Sequence, residues 1–210
     1  MAQIEDTSVS NEAIYWDHRF GRNAIKLLPG DFDVTCGEEM MVTVLGSCVA
    51  ACIRDTKNLI GGMNHFLLPT DTKTKLKQPM AWHNYDLAVT RYGDFAMEQL
   101  INKIIKMGGK REHLEAKIFG GGKMFANGMS DIGLQNIQFV KEYLKTEGIK
   151  IVKSDTGGEY ARKVYYIPVT GDVFLKRINR INNNTIELRE VKYLKRAKTA
   201  RTTAIISYFN

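Results

Sequence analysis

Hydrophobic residues in this 210-residue chain fall into short runs separated by polar stretches. Val49-Ala50-Ala51-Cys52-Ile53 leads into Arg54-Asp55-Thr56-Lys57-Asn58, and Leu59-Ile60 begin a return that ends in Phe66-Leu67-Leu68-Pro69. Apolar runs of this length around a polar turn predict a buried β-hairpin. Before it, the turn Leu28-Pro29-Gly30-Asp31 precedes strands expected over Phe32–Thr35 and Met41–Leu45. Ala13–Leu28 carries Tyr15, Trp16, Phe20 and Ile25 among charges and reads as a short arm packed on the domain; residues 1–12 are polar and expected to be disordered. Met97, Leu100, Ile101, Ile104 and Ile105 recur at helical spacing and predict a helix over Asp86–Met107, stopped by Gly108-Gly109. A second helix, capped by Ser130-Asp131, is expected to run to about Glu147 before Gly148. Strands are expected at Lys117–Phe119 and Ile149–Val152, and a hairpin at Lys163–Val169 and Val173–Arg177, turning at Thr170-Gly171-Asp172. Helices alternating with strands and hairpins define an α+β or mixed α/β class, and no internal repeat is present.

Composition adds limits. A hydrophobic content of 44% and a charged content of 25% are ordinary for a globular domain with a sizeable core. No apolar run is long enough to span a bilayer and no signal-peptide pattern is present, so a cytoplasmic protein without membrane insertion is expected. Cys36, Cys48 and Cys52 form no disulfide framework, which fits a reducing compartment. They also lack the C-x2-C spacing of a zinc site, so no metal is expected. The net charge of +7 suits an anionic partner. No aromatic-basic or zinc pattern accompanies it, so nucleic acid is not the expected one. Lysines and threonines in Thr70–Gln78 make a solvated loop that could also rim a site. Leu188–Arg201 holds six basic residues, including Lys192, Lys195, Arg196, Lys198 and Arg201, and reads as a solvated tail or a dock for an acidic surface. Gly120-Gly121-Gly122-Lys123 fails as a phosphate-binding loop, because Lys117 and Met124 stand where glycine and a hydroxyl residue are needed. A glycine turn that lets backbone approach another group is the better reading.

The hairpin itself carries the candidate chemistry. A turn centred between Thr56 and Lys57 sets Cys48 directly opposite His65, on one face and near hydrogen-bonding reach. Thiol and imidazole in that relation are what an activated cysteine nucleophile requires. Gly46 and Ser47 suit a bend whose backbone N–H groups serve as an oxyanion hole. A bulge at Gly61-Gly62 would break this register. The competing reading makes Cys48 and Cys52 small buried hydrophobes and His65 a satisfied core histidine. Cys52 lies four residues from Cys48, an even offset that leaves both on one face. His83 and His113 sit in polar surroundings and are not expected to activate a thiol.

LGSCVAACIRD followed by GGMNHFLLP resembles the CheD family of chemotaxis-receptor glutamine deamidases. YGDFAMEQLI, LEAKIFGGGKMF, IGLQN and DTGGEYARKVYYIPVTG follow in the family's order, so the resemblance covers about residues 30–175. It implies packed mixed sheets flanked by helices, the CheD-like cysteine hydrolase fold, in a deamidase domain over 30–177. Residues 1–29 and 178–210 are then an N-terminal and a basic C-terminal extension. It implies Cys48 as nucleophile, His65 as its base, and a threonine in the preceding strand that orients the histidine, for which Thr43 is the candidate. Gly46, Ser47, Asn64, Gly120 and Gly121 become the oxyanion and substrate contacts. The sequence departs from the family pattern at Gln135, where arginine is expected, and at Gly122, where alanine is expected. The implied reaction converts receptor glutamines to glutamate through a thioester, needs no cofactor, and could extend to glutamyl methyl esters. Implied partners are methyl-accepting chemotaxis receptors and a CheC-type phosphatase; the alternative role is a binding adaptor for these.

Overall fold

The computed structural model describes residues 14–67, 87–123 and 132–178, together with Lys192. The side chains of residues 87–92 are not included. The Thr70–Gln78 loop, His83, the Ser130-Asp131 cap, residues 1–12 and, apart from Lys192, the basic stretch beyond residue 178 lie outside the described residues.

Two mixed five-stranded sheets stack on one another. The first comprises β1 (Ile14–Asp17), β2 (Arg22–Lys26), β4 (Met40–Leu45), β9 (Ala161–Ile167) and β10 (Asp172–Ile178), in that spatial order. The second runs β3 (Phe32–Thr35), β6 (Gly61–Asn64), β5 (Val49–Asp55), β7 (Leu114–Gly120) and β8 (Lys150–Thr156). Each sheet holds one parallel pair, β2 with β4 and β7 with β8, which makes both mixed as expected. Helices α1 (Leu87–Lys106) and α2 (Ile132–Thr146) cover the outer face of the second sheet. Residues 14–26, read from sequence as an arm, form the β1–β2 hairpin at the edge of the first sheet.

These layers explain the continuous hydrophobicity of β5. A strand between a helical layer and another sheet is buried on both faces and shows no polar alternation. Val49, Ala51 and Ile53 meet Met97, Leu100, Ile104 and Val140 beneath the helices. Cys48, Ala50 and Cys52 meet Met41, Leu45, Val164 and Tyr166 across the gap between the sheets. Both buried cysteines therefore face the first sheet, as their even spacing allows.

The turn of the β5–β6 hairpin differs from the expectation. Asp55 accepts the N–H groups of Lys57 and Asn58 on one oxygen, each at 2.8 Å, and the Asn58 side chain on the other at 2.7 Å. Leu59 takes a left-handed conformation, and Asp55 closes the loop by donating its N–H to Ile60. The loop is the four residues Thr56–Leu59, and its centre lies one residue later than expected. Cys52 pairs with Met63 and Val49 with Phe66. Cys48 and His65 are consequently diagonal and not directly opposed. The partner has moved by two residues, an even step, so both side chains keep the same face.

Gly61 and Gly62 pair regularly with Arg54 and Ile53, so no bulge interrupts the register there. A Cβ on Gly62 would stand 2.2 Å from the Asp33 carbonyl oxygen and 2.8 Å from a Leu100 methyl. The glycine lets α1 and β3 close over β6. Gly62→Ala should therefore destabilise the protein by about 1–3 kcal/mol in urea unfolding, as overpacked sites do; an unchanged midpoint would contradict this packing.

Candidate active site

The site is built where β5 and β6 of one sheet meet β4 of the other. Cys48 sits in the bend between β4 and β5, and three successive carbonyls of that bend are held. Gly122 N–H donates to the Gly46 carbonyl at 2.7 Å, the Asn136 side chain to that of Ser47 at 2.9 Å, and Gly121 N–H to that of Cys48 at 2.7 Å. With these carbonyls anchored toward β7 and α2, trans geometry turns the Ser47 and Cys48 N–H groups the other way. The glycine turn makes this possible. Gly120 and Gly121 both have positive φ, and a Cβ on Gly120 would lie 2.1 Å from the Cys48 carbonyl oxygen.

His65 is fixed from two sides. Its N–H donates to the Asp31 carbonyl at 2.9 Å, and its own carbonyl accepts the Gly30 N–H at 2.7 Å, so the turn predicted at Leu28–Asp31 locks the backbone. The imidazole reaches across to the first sheet, where its Nδ1 lies 2.7 Å from Thr43 Oγ1. Alternation along β4 turns Thr43 inward with Met41 and Leu45.

The threonine decides which ring nitrogen carries the proton. Thr43 Oγ1 donates its single hydrogen to the Leu27 carbonyl at 2.8 Å. It can then only accept from His65, which puts the proton on Nδ1 and leaves the lone pair on Nε2. Nε2 is buried and has no hydrogen-bond partner among the described residues. Burial pushes the imidazole pKa down from 6.5 to about 3, against a smaller upward pull from the Leu27 carbonyl. The bare Nε2 offers a lone pair, and the burial that keeps the ring neutral also opposes its taking up a proton.

Cys52 differs from a reactive thiol in its environment. Burial raises its pKa far above the ordinary value, with Lys117 opposing only weakly, so it stays a protonated hydrophobe. His113 lies beside Asp55 at the opposite end of β5 from Cys48, 3.5 Å from its carboxylate. Burial alone would raise the Asp55 pKa, but hydrogen bonds from Asn58, Lys110 and Lys57 outweigh it and hold the carboxyl well below the usual range. Among the described residues, no group of His, Cys, Asp and Glu gathers in a way that could hold a metal.

Of the residues singled out in the sequence, Thr43 and His65 meet directly, and Gly46, Ser47, Cys48, Gly120 and Gly121 form one hydrogen-bonded bend. Asn64 turns to the other face. Its oxygen accepts the Ala51 N–H at 2.9 Å and its nitrogen donates to the Ala96 carbonyl at 3.1 Å, tying β5 and β6 to α1. Gln135 is half-buried on α2 beside Asn136. Two contributors escaped the sequence reading. Asn136 is a polar residue on the apolar face of α2, and that misplacement was the available signal. Arg162 is fully buried on β9, donates to the Gly120 and Gly157 carbonyls, and pairs with Asp155 at 3.0 Å. It braces the glycine turn that grips Cys48, and nothing in its local sequence announces this.

A cavity of about 420 Å³ opens on the outer face of the first sheet, where β2 ends and leaves β4 uncovered. Thr43 and His65 form its inner end, Leu27, Leu28, Pro29, Val42 and Val44 its apolar wall, and Tyr15, Lys26 and Lys163 complete it.

A bend-held cysteine on the same face as an oriented neutral histidine is compatible with cysteine-dependent acyl transfer and hydrolysis. Comparison with known proteins narrows this class. The family described as CheD chemotactic sensory transduction matches residues 67–177. A protein of Halorhodospira halophila named probable chemoreceptor glutamine deamidase CheD is 48% identical over 86% of this chain and 82% of its own. Proteins of the same name from Herminiimonas arsenicoxydans and Methylobacillus flagellatus are 44% and 42% identical, covering 94% and 98% of both chains. The chain belongs to the CheD family. The family match begins beyond His65, but the alignment over 98% of the chain takes in the Cys48–His65 hairpin.

The buried neutral imidazole has a measurable consequence. The unfolded chain takes up a proton that the folded chain refuses, so acid favours unfolding. The His65 contribution is complete above about pH 6.5 and is lost as pH falls toward about 3. The stability difference between wild type and His65→Gln should shrink by roughly 1 kcal/mol per pH unit within that window. A difference that stays constant with pH would show a solvated or charged imidazole.

Proposed function

We propose that this chain deamidates glutamine side chains of chemotaxis receptors, using Cys48 as nucleophile and His65 as the base that serves it. The contact that carries this reading is Thr43 Oγ1 to His65 Nδ1, which presents the unprotonated Nε2 on the face shared with Cys48. The names of the relatives support the substrate class. That these receptor segments are cytoplasmic, and that a CheC-type phosphatase is a further partner, belong to the proposal through family resemblance. No helix among the described residues is long and apolar enough to cross a membrane.

The steps follow from the groups present. His65 Nε2 takes the Cys48 proton, and the thiolate attacks the carboxamide carbon of the glutamine. The C–S bond forms as the carbonyl oxygen gains charge, and in this reading the amides of the fixed Gly46–Cys48 bend stabilise it. The imidazolium returns its proton to the departing nitrogen, the C–N bond breaks, and ammonia leaves a thioester on Cys48. Water, deprotonated by Nε2, then attacks the thioester carbonyl, releasing glutamate and restoring the thiol. Tying the Cys48 carbonyl to Gly121 keeps the reacting sulfur in place through both halves.

Incubation with a receptor cytoplasmic fragment should add about 1 Da per converted glutamine, the difference between NH2 and OH, in intact-mass analysis. Cys48→Ala should abolish conversion, a loss of about 10⁴-fold or more, while keeping its fold. Cys52→Ala should retain most activity. Loss of turnover in Cys52→Ala with activity kept in Cys48→Ala would assign the nucleophile the other way.

A further inference from the structure

The cavity beside Thr43 and His65 has a charge pattern that the proposed chemistry does not use. Lys26 is paired across the sheet with Val42, and Lys163 with Val44, on the other side of β4. Two residues apart on one strand, Val42 and Val44 share a face, so the lysines flank β4 and converge on the same cavity. No carboxylate among the described residues pairs with either one. Lys163 instead has its ammonium 4.8 Å from the centre of the Tyr165 ring. Like charges that converge on a partly apolar cavity repel one another, and an anion placed between them relieves that repulsion. Leu28, Val42 and Val44 offer apolar surface for the stem of a side chain, and Leu28 is half exposed at 49%.

From this juxtaposition we infer that the cavity is a specificity subsite for a carboxylate-bearing residue near the target glutamine on the substrate segment. The inference rests on the deamidase reading above for what that segment is. A substrate carboxylate lies between Lys26 and Lys163, its methylene stem packs on Val42 and Val44, and the neighbouring glutamine is thereby brought toward His65. The subsite acts on binding: Thr43 and His65 close the inner end of the cavity, so a segment held there lies beside the histidine. A segment with a neutral residue at that position leaves those charges uncompensated and binds less well.

The test uses two synthetic receptor-helix peptides, one with glutamate at the positions flanking the target glutamine and one with serine there. Affinity by fluorescence anisotropy and turnover by mass are measured with wild type, Lys26→Gln and Lys163→Gln. These variants keep the methylene stems and touch no catalytic residue, and Lys26→Arg and Lys163→Arg restore the charge. The subsite predicts that each Gln variant loses about tenfold in affinity and KM for the glutamate peptide, with kcat kept. It further predicts little change for the serine peptide and recovery in the Arg variants. Equal effects on both peptides, no effect on either, or no preference of the wild type for the glutamate peptide would overturn it. Lysine-dependent binding without turnover would keep the subsite and remove the deamidase reading; turnover indifferent to both lysines would do the reverse.

Discussion

A single hydroxyl proton sets the character of the site. Thr43 has one hydrogen to give and gives it to the Leu27 carbonyl, so the histidine can approach Thr43 only as a donor. That commitment selects the tautomer, frees Nε2, and requires three segments to be in register: the end of β2, the middle of β4 and the residue after β6. Each belongs to a different part of the sheets. The chemistry of the site is therefore a consequence of how the two layers stack.

The stacking also explains why the site tolerates burial. Cys48 and His65 lie between the sheets, where an unpaired polar group would cost about 1–3 kcal/mol. Most of their polar neighbours are satisfied by backbone: Gly121 and Gly122 hold the bend, Gly30 and Asp31 hold His65, and Arg162 fills the space behind the glycine turn. Among the described residues Nε2 is one of several buried polar atoms without a hydrogen-bond partner, the Tyr166 hydroxyl between the same sheets being another, and it differs from them in belonging to a ring that Thr43 orients. The cavity at the uncovered stretch of β4 gives the Thr43–His65 pair its contact with the surroundings.

Much of this was legible in the residues. The hydrophobic runs located the β5–β6 hairpin and both helices, and the Leu28–Asp31 turn was visible in its Pro-Gly-Asp signature. Cys48 and His65 are not directly opposed as the turn implied, but they share a face because the slip is even; an odd slip would send the imidazole into the helical layer with Asn64. The turn departs from its expected centre because its loop depends on Asp55 gathering N–H groups from Lys57, Asn58 and the distant Lys110, and no local pattern encodes the last of these. The division of the strands into two sheets was likewise out of reach, since β4 pairs with β9 more than a hundred residues later. The same distance hid Arg162 and Asn136. Their roles exist only once β9 and α2 have closed over the bend around Cys48.

The position of the His65 proton can be read directly. Nitrogen-15 NMR of the histidine side chains at neutral pH distinguishes a protonated from an unprotonated ring nitrogen. In wild type, His65 should show a protonated Nδ1 and a bare Nε2, and Thr43→Val, which removes the hydroxyl but keeps the shape, should lose that preference while Thr43→Ser retains it. A proton found on Nε2 in the wild-type protein, or a fully protonated imidazolium at neutral pH, would contradict it.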